Sequence, residues 1–515
     1  MPAPATPERP AFLRPAPDRR ATPLPGSFTL HPAPSTVHLD GGTVVLGGSP
    51  IRLFRISERA RQLLAWWRVG HPVGERPGAR LLARRLVSSG AYVPRPTTAP
   101  TLRNEDVTVV VPVRNRAAQL DRLLAGLAAA ADLPCVVVDD ASADAGSTKE
   151  VAERHGARFV ALADNLGPAG ARNAGLALVE TALVAFVDSD CVPSPEWLGP
   201  LLGHFDDPVV GAVAPRVVPL PRTPGRALEG YERVRSSLDR GAFEGPVRRG
   251  SPIPYVPSAA LVVRTAVTAG PDLFDATLRR GEDVDLVWRL ADAGWDVRYV
   301  PESTVEHDGP ATLTEFLGRR CFYGSSAAAL ARRHPRSLPP VQVSAWSLAV
   351  WLLAAARRPA LALTTLAASV GLLAHRLRGL TDDPIALATR IAGDGTVRAA
   401  LPALAGLART GSPALVAGLV FRRTRRAAAL ALVLPALADW RKDRSLSGLD
   451  PVSYTALHVG DDVAYGAGVW LGCARERTVA PLVPRVSFRA RVWSARSLRE
   501  NLASEVKAGS ASTPA

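Results

Sequence analysis

The chain has 515 residues, of which 47% are hydrophobic and 21% charged, and its formal net charge is +15. This length excludes a single compact domain, and the four scattered cysteines exclude a disulfide scaffold or a cysteine-rich metal site, which favours a reducing compartment. The hydrophobic balance leans toward a membrane-associated protein, and the positive charge suits nucleotide phosphates, anionic lipids or nucleic acid as partners.

The N-terminal part divides into an arm and a small module. Residues 1–35 are rich in Pro and Ala and hold no apolar run typical of a secretory signal, so we expect a disordered arm and a cytoplasmic catalytic part. Residues 36–97 first alternate like short strands with Gly-Gly turns and then follow helical periodicity. This pattern predicts a small α+β module with strands before helices.

The central region, residues 104–335, alternates apolar runs with helical patterns. Strands are predicted at 107–113, 134–140, 157–162, 182–188 and 209–215, and helices at about 117–131, 146–155, 168–180 and 195–205. Valine runs without alternation indicate strands buried on both faces, and the helices between them indicate βαβ units. We therefore predict a doubly wound, mostly parallel sheet that binds ligands at its carboxyl edge.

Beyond residue 335 the chain is rich in Ala and Leu with clustered arginines. Residues 338–356 and 359–374 carry no charge and are flanked by arginines, at the lower length limit for crossing a bilayer. Two weaker runs follow. We expect membrane-associated helices over 336–445 and a partly disordered segment over 446–515, with a buried helical domain as the alternative.

Acidic residues follow the predicted strands or open a helix, and they are Asp139, Asp140, Asp188, Asp190, Glu282 and Asp283. Two carboxylates that leave a strand together, as in VDSD, can bind one divalent cation, which prefers hard oxygen ligands. Such a cation would bridge a diphosphate and neutralise the charge of the leaving group. The alternatives are a solvated turn for VDSD and a helix N-cap for Asp283.

The segment NLGPAGARNAGL places glycine-rich backbone before a helix. Free N–H groups in this geometry can bind phosphate or ribose oxygens. We assign Asn165 and Arg172 to the donor-binding side on this basis. The alternative is a turn and helix start in which Arg172 bridges to an acid at the sheet edge.

Five motifs, VTVVVPVRN, VVVDDAS, NLGPAGARNAGL, VDSD and GEDVDLVWRL, resemble in sequence and order those of the family 2 glycosyltransferases, which have the GT-A fold. The resemblance implies contacts to a nucleotide-sugar donor from Pro112, Arg114, Asp139, Asp140, Asn165, Arg172 and Asp188. It also implies that Asp188, Asp190 and His307 bind Mn²⁺ or Mg²⁺, and that the Glu282–Asp283 pair supplies the catalytic base.

A physical requirement supports the base independently. Transfer with inversion needs a carboxylate opposite the leaving diphosphate, to accept the proton of the acceptor hydroxyl. Asp283 opens a helix and can project into the cleft, and Glu282 and Asp285 are the next candidates. The segment RRCFYGSS adds Arg319, Arg320 and Tyr323 as acceptor or diphosphate residues by resemblance, but it lacks the Gln and Trp usual in processive relatives.

The flanking regions resemble those of glycosyltransferases of the mycofactocin cluster, a peptide-derived redox-cofactor pathway. The resemblance implies transfer of glucose from a UDP-sugar to a peptide-derived small-molecule acceptor, as a β-linked chain. Residues 36–97 are similar in element order to the small winged-helix-like peptide-recognition domains of ribosomally made peptide pathways. This resemblance implies binding of the precursor or of a partner enzyme, and a structural lid on the central domain is the alternative.

The sequence leaves three other functions to compare. A membrane sugar transferase acting on a lipid-linked or cell-wall acceptor would also suit apolar helices beside the site. A DNA-binding regulator is disfavoured because the positive charge is spread along the whole chain, so we expect no nucleic acid partner. An inactive scaffold is disfavoured by the intact acids.

Overall fold

The computed structural model describes residues 13–130, 132–221 and 227–488. These residues form an N-terminal module, a central α/β domain and a set of C-terminal helices. The architecture agrees with the predicted fold class.

The N-terminal module contains strands before helices, as predicted. Its elements are β1 Thr29–Pro32, β2 Val37–Leu39, β3 Val44–Gly47, β4 Arg52–Arg55, α1 Glu58–Arg68, α2 Pro77–Ser89 and β5 Tyr92–Arg95. Strands β2, β3 and β4 form an antiparallel sheet, while β1 pairs with β5. Ser57 caps α1 by accepting a hydrogen bond from Ala60 N, and Gly90 ends α2 in the left-handed conformation.

Residues 13–35 are not the disordered arm that their composition suggested. Leu24, Phe28 and Leu30 are fully buried in the core of the module, and the backbone of Arg14 donates a hydrogen bond to Val267 O at 2.8 Å. A few large apolar side chains between the prolines bury enough surface to order this segment. The rest of the predicted arm, residues 1–12, lies outside the described residues.

The central domain is built on one large mixed sheet. Its strands are β6 Val107–Val113, β7 Cys135–Asp139, β8 Arg158–Ala161, β9 Leu183–Val187, β10 Cys191–Pro193, β11 Val210–Pro219, β12 Gly245–Pro246, β13 Ala260–Arg264 and β14 Asp296–His307. Its helices are α3 Ala117–Ala130, α4 Ala145–Arg154, α5 Gly167–Leu176, α6 Gly199–Leu202, α7 Ala227–Arg235, α8 Glu282–Asp292, α9 Leu313–Gly324 and α10 Ala327–Arg333.

The strand order is β10-β14-β11-β13-β9-β6-β7-β8, and β12 pairs with β14. Strands β8, β7, β6 and β9 are parallel, as predicted, and β13 lies antiparallel between β9 and β11. Strands β10, β12, β13 and β14 were not among the five predicted from the sequence. Strand β14 also pairs with β10, which places Cys191 opposite His307 and so brings the end of the domain back to the VDSD turn.

The C-terminal region is helical, with a short parallel pair of strands. Its elements are β15 Gln342–Ser344, α11 Ala345–Ala355, α12 Pro359–Leu377, α13 Pro384–Ala388, α14 Gly395–Val420, α15 Arg425–Ser447, α16 Pro451–Glu476 and β16 Arg485–Ser487. Two helical stretches, Pro359–Leu377 and Pro384–Val420, are long and apolar enough to cross a membrane by length and composition.

The first predicted apolar run forms a shorter helix than expected. Residues 338–356 yield only α11, of 11 residues, because Pro339 and Pro340 cannot continue a helix and Ser344 caps its start. Helix α11 is therefore too short to span a bilayer. The buried-domain alternative is also disfavoured, because large apolar side chains of this region are exposed, among them Leu352, Leu361, Leu363, Leu372, Ile385, Val397 and Val420.

The C-terminal helices pack against both other parts of the molecule. Helix α16, within the segment predicted to be partly disordered, lies on α7, α9 and α10. Leu46 of the N-terminal module packs with Leu373 and Leu377 of α12. The same module is tied to the central domain by a buried ion pair between Arg84 and Asp207, 2.5 Å apart.

Candidate active site

The glycine-rich loop before α5 is held by two predicted donor residues. Asp140 accepts hydrogen bonds from Leu166 N at 2.7 Å and Gly167 N at 3.0 Å. The side chain of Asn165 accepts from Gly167 N at 3.0 Å. Gly167 has a φ of 78°, which only glycine adopts without cost. Asp140 and Asn165 therefore fix the conformation of the loop.

Three further residues that are predicted to contact the nucleotide-sugar donor lie in β6 and β7 or at the carboxyl ends of these strands. Asp139 is buried, and one of its oxygens accepts from Ser142 N at 2.8 Å while the other has no hydrogen-bond partner among the described residues. Arg114 is exposed at the end of β6, and Pro112 is half-buried within it. Because a buried carboxylate oxygen is rarely left without a partner, the second oxygen of Asp139 marks a place for a donor group from a ligand.

Asn115 is a residue of this edge that the sequence analysis missed. Its backbone N–H donates to Ser142 Oγ at 2.8 Å, and its Oδ1 accepts from Ala143 N at 2.7 Å. Its φ of 55° is a conformation in which Asn is enriched. The Asn side chain thus joins the loops that follow β6 and β7, and a polar residue directly after PVR was the available signal.

Arg172 joins two motifs that are distant in sequence. Its buried guanidinium donates to Asp188 Oδ1 at 2.6 Å and to Glu282 Oε1 at 3.0 Å. Arg172 therefore bridges acids at the sheet edge, as the alternative interpretation expected, and its predicted contact with the nucleotide-sugar donor stays a prediction. The bridge places the VDSD turn beside the start of α8.

Asp190 and His307 meet at the end of the β10–β14 pair. Asp190 Oδ1 lies 3.5 Å from His307 Nε2, and the other Asp190 oxygen pairs with Arg116. Burial lowers the pKa of His307, which keeps the imidazole neutral and able to bind a metal. The described part of the chain contains no cluster of three or more His, Cys, Asp or Glu close enough to hold a metal ion.

Arg116 was not predicted. It directly follows the VTVVVPVRN motif and pairs with Asp190 of the VDSD turn.

Asp283 lies in the first turn of α8 and is not its N-cap. The cap position is Gly281, with a φ of 73°, and Asp283 Oδ1 accepts a hydrogen bond from Val284 N at 2.7 Å. Burial, together with the negative charge of Glu282, raises the pKa of Asp283 to about 7. A carboxylate with this pKa is suited to general-base catalysis near neutral pH.

The neighbouring acids of α8 have other roles. Glu282 is buried and paired with Arg172. Asp285 is fully buried, and it contacts Arg289, Arg333 and His334 at 2.6, 3.2 and 2.9 Å. Burial alone would raise the pKa of Asp285, but the hydrogen bond from His334 and the arginine charges hold it well below its usual range. Both acids are thus paired with cationic side chains, and the predicted catalytic role of Glu282 stays a prediction.

The residues predicted to contact the acceptor or the diphosphate lie on helix α9. Arg319 and Tyr323 line a small pocket together with His307, Ser236 and Ser237. The Arg319 guanidinium donates to Glu315 at 2.6 Å and to Asp308 O at 3.2 Å. Burial raises the pKa of Tyr323; the charges of Arg319 and Arg320 oppose this, and those of Asp283 and Asp188 add to it, so the direction of the shift is set by burial.

Arg320 was predicted beside them but has a different environment. It borders the pocket, yet its buried guanidinium pairs with Glu232 at 2.6 Å and lies 3.3 Å from Asp461 of α16. These two acids compensate its charge, and Arg320 joins α9 to α16; its predicted role toward an acceptor or diphosphate stays a prediction. Arg319 and Tyr323 are four residues apart and share one face of α9, whereas Arg320 directly follows Arg319 and lies on another face.

Two family patterns match the chain. "Glycosyl transferase family 2" matches residues 108–254, and "Glycosyl transferase family group 2" matches residues 183–438. The first covers the loop and VDSD motifs, and the second extends from VDSD through the Glu282–Asp283 pair and His307 into the C-terminal helices.

Known proteins are similar over different extents. The chain is 39% identical over 479 residues to the pre-mycofactocin glycosyltransferase of Mycobacterium tuberculosis, an alignment that covers 90% of this chain and 99% of that protein. It is 32% identical over 177 residues to a validoxylamine A glucosyltransferase of Streptomyces hygroscopicus, over 31% of this chain and 39% of that protein.

Solved structures are more distant. A mannosyltransferase from Pyrobaculum calidifontis in complex with GDP-Man and Mn²⁺ is 19% identical, with a TM-score of 0.39, over 72% of this chain and 90% of that chain. TarS from S. aureus in complex with UDP is 19% identical, with a TM-score of 0.31, over 43% of this chain and 65% of that chain.

Proposed function

The chain belongs to family 2 of the glycosyltransferases, and on that premise we propose that it transfers glucose from UDP-glucose, with inversion, to a peptide-derived redox-cofactor precursor. The carrying observation is the Arg172 bridge, which holds Asp188 and Glu282 on one guanidinium. It thereby sets the diphosphate side of the cleft next to Asp283. The full-length similarity to the pre-mycofactocin glycosyltransferase supports the acceptor class.

Asp190 and His307, with Asp188 beside them, are the residues that would hold a divalent cation, Mn²⁺ or Mg²⁺. Their chemistry fits, because such ions in phosphate sites take one or two protein ligands and complete their shell with phosphate oxygens and water. When bound, the cation neutralises charge that develops on the departing diphosphate. Arg116, paired with Asp190, supplies a fixed positive charge at the same place.

Asp283 takes the proton in the proposed reaction. The acceptor oxygen forms a bond to the anomeric carbon of the sugar while the bond from that carbon to the diphosphate oxygen breaks. The acceptor proton moves to the Asp283 carboxylate, and UDP leaves. Gly281 at the start of α8 lets Asp283 enter the cleft, and repetition on the product would build a β-linked chain.

The exposed apolar helices favour a second candidate, a membrane sugar transferase acting on a lipid-linked or cell-wall acceptor. Either function agrees with association through the C-terminal region and a cytoplasmic catalytic domain. We expect the protein to sediment with membranes and to be released by detergent rather than by salt, because α12 and residues 384–420 expose apolar side chains. Recovery in the soluble fraction without detergent would contradict this association.

Purified full-length protein in detergent, incubated with UDP- and GDP-hexoses, tests the proposal. Sugar transfer to a synthetic peptide-derived acceptor, with UDP-glucose preferred and activity lost on chelation, is the expected result. Loss of a residue that only orients a metal ligand lowers activity roughly 10- to 100-fold. Asp190→Ala should lower activity at least as much, because Asp190 would itself bind the metal. Transfer to lipid extracts alone would establish the second candidate, and no donor turnover under any condition would contradict both.

A further inference from the structure

Helices α9 and α16 touch backbone to backbone. A Cβ atom added at Gly468 would lie 2.0 Å from the carbonyl oxygen of Cys321, and one added at Gly472 would lie 2.5 Å from that of Ser325. On α9 itself, a Cβ at Gly324 would lie 2.1 Å from the carbonyl oxygen of Tyr465. Small residues spaced four apart allow helices to approach this closely. The two helices therefore lie so close together that a side chain at any of these glycines would overlap the backbone of the other helix.

Side chains fix the relative position of the same two elements. Val469 and Cys473 of α16 pack with Ala327 and Ala328, which follow directly after α9. Toward the other end of the contact, Arg320 of α9 lies 3.3 Å from the buried Asp461 of α16. A packed interface with a buried ion pair resists sliding, because any shift leaves a charge without its partner.

The surface of α9 that faces away from α16 enters the cleft. Arg319 and Tyr323 line one pocket there with His307, whose Nε2 lies 3.5 Å from Asp190. Displacement of a reacting or orienting group by about 1 Å can reduce turnover roughly 100-fold. The spacing between α9 and α16 therefore sets the position of the acceptor-side wall relative to the base.

We propose that α16 is a positioning element of the active site, with Gly468 as the residue that sets the depth of α9 in the cleft. This inference rests on the proposed glycosyl transfer, because it assigns the function of the wall that carries Tyr323. Helix α16 thus serves catalysis from about 150 residues beyond the last strand of the central sheet.

Gly468→Ala in the full-length protein is the test, with Gly460→Ala as the matched control. Both substitutions add one methyl group to α16 and gain the same helix propensity, but a Cβ at Gly460 meets only Leu317 Cδ2 at 3.5 Å, an ordinary contact. We expect Gly468→Ala to lower kcat by on the order of 10- to 100-fold while the affinity for UDP and the helix content stay within about twofold of wild type. Gly460→Ala should retain wild-type turnover.

Combination with Tyr323→Phe separates positioning from general destabilisation. If α16 acts through the α9 wall, the turnover of the double variant should be little lower than that of the less active single variant. Losses that multiply would contradict the inference. If Gly468→Ala does not fold, Gly472→Ala, with its smaller overlap, takes its place.

The two proposals fail differently. A wild-type protein that turns over no nucleotide sugar contradicts the proposed function. An active wild type with an equally active Gly468→Ala contradicts only the inference about α16.

Discussion

The two faces of helix α8 hold carboxylates in opposite surroundings. Asp283 faces the cleft, where burial and the neighbouring charge of Glu282 raise its pKa to about 7. Asp285 faces α10 and the following residue His334, and its three cationic or hydrogen-bonding partners hold its pKa well below its usual range. Two residues of one type, two positions apart, thus have pKa values shifted in opposite directions.

This difference shows that charge partners, more than burial, decide the role of an acid at this site. Asp285 is more completely buried than Asp283, yet it stays ionised because Arg289, Arg333 and His334 surround it. Asp283 has no arginine in direct contact among the described residues, because Glu282 and Asp188 take the two ends of the Arg172 guanidinium. The pairing of Arg172 with its neighbours leaves Asp283 free for chemistry.

The largest expected effect is on turnover. Asp283→Asn keeps the shape of the side chain but cannot accept a proton, so turnover should fall by on the order of 10²–10⁴ while UDP affinity changes little. Steady-state kinetics and nucleotide titration measure both. Near-normal turnover would show that the base lies elsewhere.

The matching change on the other face should act on stability. Asp285→Asn leaves two arginines without their buried counter-charge, and breaking such a pair costs about 3–5 kcal/mol of unfolding free energy. Chemical denaturation of the two variants, followed by tryptophan fluorescence, compares them directly. A stable Asp285→Asn together with an unstable Asp283→Asn would reverse the assignment of the two faces.

The sequence predicted which residues lie together on the donor side of the cleft better than it predicted the contacts on the acceptor side. Asp139 and Asp188 follow parallel strands, whose carboxyl ends share one edge, so their convergence could be predicted from the chain order. His307 was predicted by resemblance, but its contact with Asp190 depends on the pairing of β10 with β14, which local pattern does not reveal.

Other parts depended on contacts between distant segments. The loop motif that contains Arg172 does not show that Glu282, 110 positions later, pairs with it. Arg320 differs from Arg319 only through the helix face it occupies and through Asp461. The order of residues 13–35 likewise depends on Phe28 and Leu24 meeting a core formed by later residues.

A smaller effect distinguishes the two carboxylates through the pH dependence of stability. The pKa of Asp283 is raised in the folded state from 3.8 to about 7, so the unfolding free energy falls as pH rises through this window, by at most about 1.4 kcal/mol per pH unit. For Asp285, whose pKa is lowered, stability is present above the unfolded pKa of 3.8 and is lost as pH falls below it.

Melting temperatures across this range measure both contributions. Asp283→Asn should equal or exceed the wild-type melting temperature above pH 7 and lose the decline between about pH 4 and pH 7. A steeper decline in that variant would contradict the assigned pKa.

The most direct test of the central claim, that Asp283 is the catalytic base, is the pH dependence of kcat/KM for wild type and Glu282→Gln. In wild type, activity should rise with pH through an apparent pKa of about 7, because the base must lose its proton to act. Removing the negative charge of Glu282 should move this limb to lower pH by on the order of one unit, since a like charge no longer opposes ionisation of Asp283. A profile without an acid limb near neutrality, or a limb that stays in place in Glu282→Gln, would contradict the account.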